Sequence, residues 1–195
     1  MPDVLAYRQE VYRKLIHISS SGIAILIWYF GKEVLLPWIL AVSILFPIFD
    51  CLRKYSPFLS KLYFTLFGIV TRPNEHRQLS GASWVFMGAG ITTLIFNENV
   101  VVVALLIMSL SDSAAALIGI KYGGTLLFNK SLEGSMAFFI TTLVLIILLL
   151  QTSLLLTLIV SITATIIELF STPKLNDNIL LPVITALILT LGGVK

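Results

Sequence analysis

The chain runs to 195 residues, 57% of them hydrophobic and only 12% charged, about half the charged fraction of roughly 25% found in ordinary soluble domains. That balance weighs against a soluble module and predicts one all-α, multi-pass integral membrane domain over residues 1–195. The basic excess, 13 Lys and Arg against 10 Asp and Glu, then reports topology rather than a nucleic-acid partner, and a single cysteine, Cys51, excludes an internal disulfide.

In chain order, residues 1–10 are mostly polar and predict no cleavable leader. A spanning helix needs about 20 apolar residues. Seven runs come near that length: 14–30, 34–49, 82–96, 99–120, 135–150, 153–170 and 179–194. The first opens with Arg13, Lys14 and His17. Arg13 and Lys14 read equally as snorkelling anchors and as site residues, whereas His17 sits deeper, with Ser20 and Ser21 behind it. The second ends in Asp50, Arg53 and Lys54, whose i, i+3 and i+4 spacing is explained as well by mutual pairing as by a ligand. Residues 58–70 are too short to span, contain Lys61 and follow the helix-start signal Ser56-Pro57, so they are placed along the surface. That placement puts eleven basic residues on one side and only Lys32 and Lys195 on the other. The positive-inside rule then predicts about seven transmembrane helices plus one interfacial helix, N-terminus in and C-terminus out, with the active site facing the cytoplasm. The densest polar loop, Arg72-Pro-Asn-Glu75-His76-Arg77-Gln-Leu-Ser80-Gly81, is long enough to fold over a site.

Chemistry concentrates further along. Asp112 lies inside the fourth apolar run, and a charge in hydrocarbon is expensive enough to mark a functional candidate. On helical spacing Ser109, Asp112, Ala115, Ala116, Gly119 and Gly123 share one face, where small residues admit a neighbouring helix or a ligand. The loop over residues 121–135 joins Gly123-Gly124 to Lys130-Ser131-Leu-Glu133-Gly134-Ser135. Glycine backbone, lysine charge and serine hydroxyls together suit phosphate, and Ser131 is placed to cap the helix that follows. Walker A spacing is absent. Ser161, Thr165 and Glu168 form a polar stripe on the sixth run, and Asn176-Asp177-Asn178 reads either as a turn and cap or as a site element. Glu168, Asp177 and Asp112 are the carboxylates available to a Mg²⁺ ion, which typically takes one or two of them plus phosphate oxygens.

Arg13-Lys14-x-x-His17, Asp50-x-x-Arg53, Glu75 with Leu79-Ser80-Gly81-Ala82, Asp112-x-x-Ala115-x-x-x-Gly119-x-x-x-Gly123, Lys130-Ser-x-Glu-Gly-Ser135, and Glu168 before Asp177-Asn178 follow one another as in the dolichol kinase and phytol kinase family. That family includes CTP-dependent diacylglycerol kinases, and the resemblance covers almost the whole chain. It implies a CTP-dependent lipid kinase that transfers the γ-phosphate to a membrane lipid alcohol, with isoprenoid alcohols (polyprenol, dolichol, phytol) ahead of diacylglycerol. It implies CTP binding by Gly119, Lys121, Gly123, Lys130, Ser131, Glu133, Gly134 and Ser135, with Arg77 added from the polar loop. Catalytic roles then fall to Asp112, Glu168, Asp177 and His17, and Mg²⁺ to Asp112 and Asp177. Two positions depart from the family pattern: Asn176 replaces the first acid of a pair, and Ile120 stands where Arg is usual, leaving Lys121 to carry that charge. The pattern also resembles CTP:phosphatidate cytidylyltransferases, but the last apolar run holds no charge before Lys195, which ranks cytidylyl transfer second. An ion-coupled transporter using Asp112, Glu168 and His17 is the alternative of another class; it leaves the 130–135 loop without a role.

Overall fold

The chain builds its core around one helix that its own sequence does not favour. Val100–Val103 are four consecutive β-branched residues, poor helix formers in isolation, yet every residue from Val100 to Leu106 is buried. Burial against neighbours therefore holds this helix, in keeping with the rule that packing outweighs propensity.

The computed structural model describes residues 7–71, 78–128, 130–172 and 176–195. In order these form α1 (Tyr7–Ser19), α2 (Ser21–Phe30), α3 (Lys32–Leu52), α4 (Pro57–Phe67), α5 (Gly81–Ile95), α6 (Glu98–Leu106), a π turn (Ile107–Ser111), α7 (Asp112–Tyr122), a two-residue hairpin of β1 (Leu126–Leu127) and β2 (Lys130–Ser131), α8 (Leu132–Leu149), α9 (Leu154–Leu169) and α10 (Asp177–Leu191). The all-α class expected from composition holds. The hairpin pairs Leu126 with Ser131 and Leu127 with Lys130, antiparallel.

The α6–π–α7 rod is central. Helix α2 packs on α6, α1 on α7, and α8 runs along both the π turn and α7. Helix α10 touches α5, α6 and α9, while α3 joins through α5. Several caps are set locally. Ser56, Ser80, Ser131, Ser153 and Asn176 each turn a side-chain oxygen onto an amide of the following helix, satisfying donors that have no intrahelical partner.

The seven-span expectation is corrected here. Among the described residues only three helices are long and apolar enough to cross a membrane: Lys32–Leu52, Glu98–Tyr122 and Leu132–Leu149. Apolar composition recurs in every run, but the helices are cut short. Helices α5 and α10 have 15 residues and α9 has 16, a rise of only about 22–24 Å at 1.5 Å per residue, against a hydrocarbon core of about 30 Å. The first run breaks at Ser20, and α2 stops at Gly31, whose φ of 87° ends the helix. The N-in, C-out arrangement and the multi-pass localisation rested on seven crossings and fall with them. The 58–70 run forms the 11-residue α4.

Two glycines test the packing from opposite sides. A Cβ at Gly88 would collide with the backbone carbonyl of Asn178 and approach the Ile179 Cα to 3.2 Å, whereas one at Gly22 would meet nothing within 4 Å. Gly88→Ala is expected to destabilise by about 1–3 kcal/mol, as overpacking does. Gly22→Ala is expected to be neutral or stabilising by up to about 1 kcal/mol, since alanine is the better helix residue. Thermal unfolding of the two variants beside the parent protein measures both.

Candidate functional site

A cavity of about 660 Å³ opens where α1, the start of α5, α7, the hairpin, the first turn of α8, the end of α9 and the start of α10 meet. Its wall mixes buried charge of both signs with small residues, so its geometry follows from how each charge is neutralised.

Asp112 is the first residue after the π turn and is 9% exposed. Its Oδ2 accepts from Lys14 Nζ, a residue itself 3% exposed, and lies 3.2 Å from His17 Nε2. The same Nε2 lies 3.1 Å from the Met108 carbonyl. Both neighbours are acceptors, so Nε2 carries the proton and His17 donates towards them. A π turn loosens the regular i→i−4 ladder, a feature concentrated at functional sites; here the Met108 carbonyl receives its extra donor from another helix. Burial pushes the Lys14 ammonium below the usual lysine range, and Asp112 opposes that shift.

The opposite wall is built from the hairpin and α8. Ser131 Oγ caps α8 by accepting from the Gly134 amide at 3.1 Å. Gly119, Gly123 and Gly134 let this turn lie against α7. A Cβ at Gly134 would fall 2.7 Å from the Ala115 carbonyl oxygen, and one at Gly119 would fall 2.7 Å from Ser131 Oγ. The glycines of the motif thus set the α7–α8 approach that shapes the cavity. Lys130 Nζ reaches across to Glu168 Oε1 at 2.6 Å, and Ser135 Oγ donates to Glu168 Oε2 at 3.4 Å. Burial raises the Glu168 carboxyl above its ordinary range; Lys130 opposes this, and nearby Asp112 and Asp177 add to it.

The structure brings Asp112, Gly119, Gly123, Lys130, Ser131, Gly134, Ser135, Glu168 and Asp177 onto one cavity. His17 stands behind Asp112. Lys121 is exposed, with its ammonium 5.0 Å from the Tyr122 ring centroid, and does not line the cavity. Glu133 faces away, accepting the Thr125 amide at 3.1 Å and so bracing the hairpin. Arg77, with Arg72, Glu75 and His76, lies outside the described residues. Lys14 and Glu10 are the site residues that the apolar-run reading undervalued. Helix α1 starts at Tyr7, before the run at 14–30, and on it Glu10, Arg13, Lys14 and His17 recur at i, i+3, i+4 and i+7, one helical face. That spacing is the signal in the sequence. Glu10 is 6% exposed, pairs with Arg13, and both line the cavity.

Among the described residues no group of three or more His, Cys, Asp or Glu side chains is arranged to hold a metal ion. The charge of Asp112 is met by Lys14. Asp177 takes the Asn178 amide at 3.0 Å and forms no ion pair among the described residues. A Mg²⁺ ion that draws most of its ligands from water and phosphate needs only one or two carboxylates, and Asp177 is the cavity carboxylate that fits this use.

No family model and no solved structure matches the chain. Over 138 residues, 68% of the chain and 47% of the relative, it is 37% identical to CTP-dependent diacylglycerol kinase 1 of Saccharomyces cerevisiae. Over 141 residues, 68% of the chain and 44% of the relative, it is 33% identical to the protein of the same name in Eremothecium gossypii. An uncharacterised protein of Rickettsia prowazekii is 31% identical over 182 residues, 89% of each chain. The chain therefore spans about half the length of the two fungal relatives.

The buried pair yields a stability prediction. Lys14→Met leaves Asp112 without its main cation and is expected to cost about 3–5 kcal/mol, the usual result of breaking a buried pair from one side. Adding Asp112→Asn to Lys14→Met removes the orphaned charge and is expected to recover most of the loss. Chemical denaturation of the single and double variants reads the coupling directly.

Proposed function

Because the chain belongs to the CTP-dependent lipid kinase family, we propose that it transfers the γ-phosphate of CTP to the hydroxyl of a lipid alcohol in the cavity described above. The observation that carries this reading is the convergence of a buried carboxylate, Asp112, with the Lys130–Ser135 turn on one cavity. Diacylglycerol is the alcohol we assign. It is the lipid named for the fungal relatives, and it takes precedence over the isoprenoid alcohols implied by motif resemblance.

Phosphoryl transfer needs positioning and charge neutralisation more than covalent participation by the protein. The lipid hydroxyl oxygen forms a bond to the γ-phosphorus, the bond from that phosphorus to the β,γ-bridging oxygen breaks, and CDP leaves with the electron pair. Asp112 orients the hydroxyl and takes its proton. Lys14 and His17 keep that carboxylate ionised and fixed in direction. Lys130 exchanges Glu168 for the phosphates, and Gly119, Gly123, Gly134 and the Ser131 and Ser135 hydroxyls let the chain approach them closely. Mg²⁺, when bound, neutralises charge on the phosphate oxygens; Asp177 is the residue we assign to hold it.

A nucleotide-by-lipid matrix on the purified protein tests the assignment, with diacylglycerol, dolichol and phytol as acceptors. Label from γ-labelled CTP should appear in phosphatidate. Transfer from the α position would instead indicate cytidylyl transfer, and preference for an isoprenoid acceptor would displace diacylglycerol. Asp112→Asn is expected to lower kcat by about 10²–10³, as loss of an interaction specific to the transition state does. Asparagine keeps the side-chain volume and can still accept a hydrogen bond from Lys14 through its amide oxygen. The variant is therefore expected to stay folded, as judged by circular dichroism.

A further inference from the structure

Asp50 and Arg53 are not part of the cavity wall, yet they are among the most deeply buried charges in the protein, 0% and 2% exposed. Arg53 Nε donates to Asp50 Oδ1. A pair one turn apart at the C-terminal end of α3 needs no other element to satisfy itself, but this one reaches outward. Asp50 Oδ2 accepts the Ser80 amide and, at 2.7 Å, the Ser83 hydroxyl. Arg53 Nη2 donates to the Gln78 carbonyl at 3.4 Å, and its guanidinium carbon lies 3.9 Å from the centroid of the Tyr63 ring on α4. Tyr63 in turn accepts from Thr71 Oγ1 at 3.4 Å. The end of α3, helix α4, Thr71 and the entry to α5 are thus tied to one ion pair.

What this pair holds is the part of the cavity wall formed by Gln78, Leu79, Gly81 and Trp84. Gln78 offers an amide and Trp84 an indole, groups that hydrogen-bond to and stack on a planar heterocycle. They stand on a different segment from the Lys130–Ser135 turn assigned to the phosphates. We infer that Asp50 and Arg53 are positioning residues for CTP, holding residues 78–84 as the wall that receives the nucleobase. The inference rests on the kinase reading for the identity of the ligand; the clamp itself does not.

Two readouts on the full-length protein separate these levels. Without substrate, Asp50→Asn should speed hydrogen exchange at the amides of Ser80 to Trp84 by about tenfold or more, while the amides of α8 keep their protection, a local opening. With substrates, the apparent KM for CTP should rise about tenfold, with the KM for the lipid acceptor and kcat changing less than about threefold. Arg53→Lys keeps the charge but loses the fork and the stacked plane, so it should show the same pattern more weakly; it also serves if Asp50→Asn fails to fold. Faster exchange throughout the protein with a parallel fall in kcat would make the pair an ordinary structural one. No change in either readout would equally overturn the inference. A parent protein without CTP-dependent transfer would overturn the kinase reading, while the exchange experiment would still decide the clamp.

Discussion

Lys14 and Asp112 form the contact on which the site depends. Two oppositely charged groups, 3% and 9% exposed, have each given up hydration worth several kcal/mol, and only close mutual pairing with further hydrogen bonds offsets that loss. This ties α1 to α7 in one register. It also explains the neighbouring geometry: His17, one turn beyond Lys14, reaches both the carboxylate and the Met108 carbonyl in the π turn. Shifting α1 by one residue would separate all of these partners at once.

The charges around the cavity follow the same logic. Glu10 is matched by Arg13, Asp112 by Lys14 and Glu168 by Lys130, and below the wall Asp50 is matched by Arg53. The low-dielectric surroundings that make an unmatched charge costly also strengthen each pair. On the kinase reading, a polyphosphate entering this cavity competes with carboxylates for cations that are already engaged. Lys130, its side chain 27% exposed, is the more accessible partner; Lys14, at 3%, is fixed in place. One lysine is therefore suited to exchange partners and the other to hold a partner still.

The glycines owe their place to distance rather than to flexibility. Gly119 and Gly134 sit where a methyl group would press on Ser131 Oγ or on the Ala115 carbonyl, so larger residues would drive α8 and its hairpin away from α7. The hairpin carries Lys130, and its reach to Glu168 on α9 depends on that close approach. Small-residue spacing was readable in the sequence as a packing face. That the same face borders a cavity depends on what packs opposite it.

Composition was enough to determine an all-α chain, because apolar runs of helical length leave few other ways to satisfy the backbone. The motif order was enough to point to the CTP-dependent lipid kinase family, whose fungal members the chain resembles over 68% of its length. The caps at Ser56 and Ser131 were local as well, being short-range bonds between a side chain and an amide three residues on. Helix length was not local. Apolar content measures what a segment can bury, whereas its ends depend on breaks such as Ser20 and Gly31, and seven apolar runs became three helices of spanning length among the described residues. Glu10–Arg13 and Asp50–Arg53 are local pairs three residues apart, but the pairs that join different helices belonged to tertiary structure altogether. Lys14 and Asp112 are 98 residues apart, and Lys130 and Glu168 are 38 apart. Whether each lysine anchors at a surface or neutralises a buried acid was decided only when folding removed water from both.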